Sequence, residues 1–250
     1  MKVKALYSVA LMALALLMLS SPVQASKTDD RIESSAKETY VFKTYLKGDD
    51  IKVKAKDGAV TLTGTVADES HRTLAGETVA NLPDVKSVDN KLEVKGDRPA
   101  EMSDAWISTK VKTTLLFHRH VSAMTKVDTK DGIVTLQGEA PSQAEKDLTT
   151  EYVKDVEGVK DVKNQMIVAK GAAPDRSVGD KIDDASITAQ VKMSLLYHRS
   201  TSGLKTTVTT KDGVVTLTGK SKNAAELALA TKLANDVNGV KSVNNKMTIE

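Results

Sequence analysis

The sequence predicts an α+β protein of three tandem small domains, each with two helices packed on one face of a three-stranded mixed sheet in the order α-β-β-α-β. Three observations carry this. The segment KDGAVTLTG (56–64) returns as KDGIVTLQG (130–138) and again as KDGVVTLTG (211–219). Each copy is followed by a helical stretch and a second match: DVKSVDNKLEV (84–94), GVKDVKNQMIV (158–168) and GVKSVNNKMTI (239–249). The register holds across the gap, since Gly58 to Val85, Gly132 to Val159 and Gly213 to Val240 are each 27 positions apart. Repetition at this period means one small unit used three times rather than one large enzyme fold.

Each copy opens with a helix. Ile107, Val111 and Leu115, and likewise Ile187, Val191 and Leu195, recur at i, i+4 and i+8, the apolar stripe of an amphipathic helix. Ser103-Asp104 and Asp183-Asp184 sit where an N-cap belongs. The first copy has a weaker stripe of Ile32, Ala36 and Tyr40.

A hairpin follows. Val53, Val127 and Val208 lead into Asp57-Gly58, Asp131-Gly132 and Asp212-Gly213, the dipeptide that suits a tight hairpin turn because both positions accept positive φ. The outgoing strands alternate, Val60 and Leu62 against Thr61 and Thr63, with the same pattern in the other copies, so one sheet face is apolar and the other polar. Gly64, Gly138 and Gly219 then mark an approaching helix backbone or a bulge.

The second helix starts at a capping box in Ser142/Glu145 and Asn223/Glu226, with Asp68 at the matching place in the first copy. Gly158 and Gly239 read as C-cap glycines, and Pro83 as the stop in the first copy. The last strand carries Val88, Asn90 and Leu92, repeated as Val162, Asn164 and Met166 and as Val243, Asn245 and Met247. The domains span 30–95, 103–169 and 182–250, joined by Gly-, Pro- and Asp-bearing linkers at 96–102 and 170–181. At about 65–70 residues, each is near the lower limit for a self-sufficient core.

Residues 1–25 read as a cleaved secretory signal peptide. Lys2 and Lys4 precede an apolar run from Ala5 to Leu19, and Val23-Gln24-Ala25 supplies the small-residue cleavage pattern. The run is shorter than a membrane span. The chain has no cysteine, which removes disulfides, thiolate ligands and a lipid-modified N-terminal cysteine. A periplasmic protein, soluble after cleavage and without a lipid anchor, is expected. Removing Lys2 and Lys4 leaves 34 basic against 33 acidic residues. With that balance and only 3% aromatics, nucleic acid is not an expected partner.

The K-D-G-x-V-T-L-x-G strand, the helix after it and the G-V-K-x-V-x-N-x-M strand resemble the BON domain, over nearly all of the chain beyond the leader. The resemblance implies a non-enzymatic, osmotic- or envelope-stress protein of the periplasm. It also implies action on phospholipid surfaces, supporting envelope integrity, or on exported and outer-membrane proteins as a chaperone-like module. No cofactor and no metal are implied. There is no G-x-S-x-G elbow, phosphate loop, HExxH or acidic calcium loop.

Candidate site residues are few. Trp106, the only tryptophan, has Lys110 and Phe117 on its side of the helix. An aromatic beside lysines suits an interfacial lipid contact, although such a residue also packs against a linker or neighbouring domain. Lys110, Lys112, His118 and Arg119 complete the candidate lipid-binding patch. His118-Arg119-His120 and His198-Arg199 end opening helices, where basic groups complement the dipole. His71 reads as an isolated surface residue. Asn90, Asn164 and Asn245 read as one shared structural bond to loop backbone, with ligand contact as the alternative. Gly58, Gly132, Gly213, Gly64, Gly138 and Gly219 read as structural.

Overall fold

The computed structural model describes residues 27–96, 99–118, 121, 125–169, 181–201 and 205–250. The signal-peptide reading at 1–25, most of the second linker and part of the first lie outside the described residues.

The first domain runs α1 (Lys27–Glu38), α2 (Tyr40–Thr44), β1 (Asp50–Lys56), β2 (Ala59–Val66), α3 (Glu69–Ala80) and β3 (Ser87–Val94). The second runs α4 (Asp104–Phe117), β4 (Lys126–Lys130), β5 (Ile133–Gln137), β6 (Glu139–Ala140), α5 (Gln143–Lys154), β7 (Asp161–Asn164) and β8 (Ile167–Val168). The third runs α6 (Asp184–Tyr197), β9 (Thr206–Lys211), β10 (Val214–Ser221), α7 (Ala224–Asn235), β11 (Ser242–Asn245) and β12 (Thr248–Ile249). In every copy the hairpin is antiparallel and the returning strand pairs parallel to its second strand, giving a mixed sheet. Among the described residues, no helix is long and apolar enough to cross a membrane.

The hairpin turns take the left-handed backbone that Asp-Gly permits, with φ of 53°, 56° and 54° at Asp57, Asp131 and Asp212. A carboxylate from the start of each opening helix closes each turn. Asp29, Asp104 and Asp184 each accept the two backbone N–H groups of the Asp-Gly pair, at 2.7–3.0 Å. The N-caps themselves are Ser103 and Asp183. The bonds from Gly132 and then Asp131 hold the Asp104 carboxyl below the usual range.

Several positions differ from the sequence reading. In the first copy the opening helix breaks at Thr39, whose hydroxyl caps α2, and the core stripe passes from Ile32 and Ala36 to Val41 instead of the half-buried Tyr40. Gly158 and Gly239 are not C-caps. Asp155 and Asp236 are, and the glycines follow three residues later, at φ 89° and 86°. A Cβ on Gly158 would stand 2.9 Å from Ile107. Asp84, φ 66°, takes that left-handed place in the first copy. The backbone approaching Gly64 and Gly219 belongs to the hairpin's own first strand, not to a helix: a Cβ there would lie 1.9 Å from the Asp50 carbonyl and 2.2 Å from the Lys205 carbonyl.

The three domains dock through their helices. α6 is buried on nearly every side. Ile187, Val191 and Leu195 fill the third domain's own core, while Ala185, Ala189, Met193 and Tyr197 enter the first domain's core alongside Phe117 from α4. The small side chains at 185 and 189 let α3 approach closely. Polar bonds fix the register: Tyr40 N donates to Asp183, Val41 N to Ser186 Oγ, Thr113 to Ser70, and Lys192 pairs with Glu77 at 2.7 Å.

Candidate functional site

The predicted lipid-binding residues of α4 do not share one surface. His118 is 2% exposed. Lys110 sits 3.7 Å above the Trp106 ring centroid and 5.2 Å from that of Tyr197, and its ammonium pairs with Glu157 at 2.8 Å. Trp106 is half-buried, with its ring against the backbone turn at Gly158. Of the described members only Lys112 is exposed, and it faces a different way, lining an inter-domain groove of about 450 Å³ with Ser70 and His71. His71 is not isolated, because its Nδ1 lies 2.6 Å from Asp49. Arg119 and His120 lie outside the described residues.

What α4 and α6 build is a reciprocal junction between the second and third domains. His118 forms a single antiparallel bridge with Val237, and His198 forms one with Val156. The Phe117 carbonyl accepts from Asn238 N, and the Tyr197 carbonyl accepts from Glu157 N. The two helix ends therefore insert into each other's α5 and α7 turns in matching fashion. Arg199, which reads from sequence as complementing its own helix, instead donates to the Lys154, Val156 and Val159 carbonyls, capping α5 of the neighbouring domain.

His118 stacks on Tyr152 with centroids 3.9 Å apart and planes 9° from parallel. Tyr152 OH donates to Asp236 across the junction. Both His118 ring nitrogens are buried without a hydrogen-bond partner among the described residues. The void beside them measures only about 10 Å³, room for no more than one water. Burial pushes the His118 pKa down to about 4, against the pull of Asp236 and with a push from His198. His198, also lowered by burial, lies 3.5 Å from Asp155.

The recurring asparagines are half-buried and bridge strand to helix. Nδ2 of Asn90, Asn164 and Asn245 donates to the Arg72, Lys146 and Leu227 carbonyls, on the second helix rather than a loop. Oδ1 accepts from the N–H two residues on, at Leu92, Met166 and Met247. Gly138 separates β5 from β6. Among the described residues, no cluster of three or more histidine, aspartate or glutamate side chains could hold a metal.

With α4 and α6 largely taken up by docking, the surfaces left open are the solvent sides of α1, α5 and α7 and the outer faces of the sheets. Lysine recurs at alternate outward positions of their first strands, as Lys52, Lys54 and Lys56 in β1, Lys126 and Lys130 in β4, and Lys211 in β9.

The BON domain model matches residues 28–96, 103–170 and 183–250. The chain belongs to the BON domain family. This BON-domain protein is 33% identical to Osmotically-inducible protein Y of Escherichia coli (strain K12) over 76% of its own length and 92% of that protein's. It is 28% identical to outer membrane lipoprotein DolP of Haemophilus influenzae over 57% of its own length and 72% of that protein's. Among solved structures, CdsD, a structural protein of the type III secretion system of Chlamydia trachomatis, aligns over 88% of this chain and 90% of its own. At 16% identity and a TM-score of 0.25, that alignment bears no weight.

Proposed function

We propose that this BON-domain protein is a non-enzymatic osmotic- and envelope-stress protein of the periplasm, binding phospholipid surfaces peripherally to support envelope integrity. The observation that carries the reading is the division of labour between faces. Second faces of α4 and α6 are used in joining the domains, while the lysine-bearing outer sheet faces stay exposed. Lysines on an open face attract an anionic surface together, each adding a small increment. The names of its relatives, osmotically inducible in one case and outer-membrane in the other, support that setting.

The test is co-sedimentation with phosphatidylglycerol-containing and pure phosphatidylcholine vesicles at low and moderate salt. Binding confined to the anionic vesicles and weakened by salt is expected, because headgroup contacts at a surface are screened. Absence of binding under all conditions sinks the reading. A second reading rests on β1, β4 and β9, which each pair on one side only among the described residues. Such edges could receive strands of exported client proteins, in contacts that respond little to salt.

A further inference from the structure

We infer that the outer face of the third domain's sheet, rather than α4, is the surface that meets anionic phospholipid; this rests on the proposed function. The three sheets share a plan but not a charge. Among the described strands, the first sheet carries Asp50, Asp89 and Glu93, and the second carries Asp128, Glu139 and Asp161. The strands of the third, TTVTTK, VVTLTGKS, SVNN and TI, contain no carboxylate.

Register lays that face out. Lys211 stands opposite Val214, Thr209 opposite Thr216 and Thr207 opposite Thr218. On the other side of β10, Thr216 stands opposite Asn244 and Lys220 opposite Thr248. Lys246 continues the β11 row two residues beyond Asn244, on the same face by strand alternation. Lys211, Lys220 and Lys246 are exposed and, among the described residues, engage no ion pair. In the first domain, by contrast, Lys91 pairs with Asp89 at 2.8 Å and Lys54 with Glu33 at 3.3 Å. The nearest acids of the third sheet stand at its margins: Asp212 in the turn, and Glu250, which is held by Lys205 at 3.4 Å.

This face therefore offers three free ammonium groups around a field of hydroxyl and amide groups, with one exposed apolar side chain, Val214. Ammonium groups attract anionic headgroups, and threonine and asparagine side chains hydrogen-bond phosphate and ester oxygens. The first two sheets also carry outward lysines, but with most of that charge offset by neighbouring carboxylates. Sequence composition conceals the difference, because the chain as a whole is close to neutral.

The experiment compares four forms of the purified protein by co-sedimentation with pure phosphatidylcholine and with mixed phosphatidylcholine and phosphatidylglycerol vesicles at low salt. These are the wild type, the triple variant Lys211→Gln/Lys220→Gln/Lys246→Gln, a control triple on the other sheets, Lys52→Gln/Lys56→Gln/Lys130→Gln, and Trp106→Phe on α4. All six positions are exposed, so the fold tolerates both sets, which circular dichroism checks. Each lysine near an anionic surface strengthens partitioning about fivefold, so the third-sheet triple should weaken it by about 100-fold and the control by far less. Equal weakening in both triples, or none in the third-sheet variant, overturns the surface assignment while leaving peripheral binding intact. Loss of binding in Trp106→Phe, with the third-sheet triple unaffected, overturns it in favour of α4. A wild type that fails to sediment with either vesicle overturns the function itself.

Discussion

Acidification should loosen the junction between the second and third domains, and His118 sets the size of the effect. Its ordinary value of 6.5 is pushed down to about 4 by burial, so the folded protein holds the ring neutral while the unfolded chain takes up a proton. The linkage has a definite sign. Stability from this group is complete above pH 6.5 and is lost as pH falls from there towards 4. At about 1.36 kcal/mol per unit, the full loss is about 3 kcal/mol, of which about 2 kcal/mol falls between pH 7 and pH 5. Asp236 and Asp155 face the junction as counter-charges, whereas His198 and Arg199 add positive charge. Both histidine nitrogens lack partners among the described residues, so His118→Phe removes the titration without breaking a hydrogen bond and preserves an aromatic stack on Tyr152. Urea denaturation of wild type and His118→Phe at pH 7 and pH 5 is the assay. The wild type should lose about 2 kcal/mol more than the variant on acidification. Parallel losses in the two proteins would refute the reasoning, since the pH dependence would then arise elsewhere.

Other substitutions test the docking and the repeated local devices. Met193→Ala removes a side chain that is 1% exposed between the first and third domains, and should cost about 2–4 kcal/mol while expanding the scattering envelope as the domains part. Gly219→Ala would bring a Cβ to 2.2 Å from the Lys205 carbonyl at φ 127°, and should cost about 3 kcal/mol or more by urea denaturation. Asp184→Ala strips the Asp212 and Gly213 N–H groups of their shared carboxylate, and a loss of about 1.5–3 kcal/mol is expected in the same assay.

The legible parts of the fold were those governed by neighbours along the chain. An Asp-Gly between alternating apolar residues specifies its turn locally, and Ser142 or Asn223 three residues before a glutamate specifies a helix start. Threefold repetition strengthened each reading, because a chance pattern does not recur in register. One repeated feature passed unread. Asp29, Asp104 and Asp184 lie 27 or 28 residues ahead of the turns they clamp, a spacing visible in the sequence. It was obscured because an acidic residue at a helix start already has a sufficient explanation in capping. The second stripe of α6, Ala185, Ala189, Met193 and Tyr197, lies at the same i, i+4 spacing, but only the packing of another domain shows that it is covered.

The sequence by itself determined the repeat, the order of elements, the hairpin turns, the inward and outward faces of each sheet and membership of the BON family. Only the tertiary structure decided which faces remain available. Helix docking takes His118 out of solvent, sends Arg199 to cap another domain's helix, and occupies Lys110 with Trp106 and Glu157. The physical reason is that periodicity reports which side of an element is apolar, whereas exposure depends on what packs there from a distant part of the chain. For His118 the partners are Val237 and Asp236, more than a hundred residues away, and no local pattern encodes them.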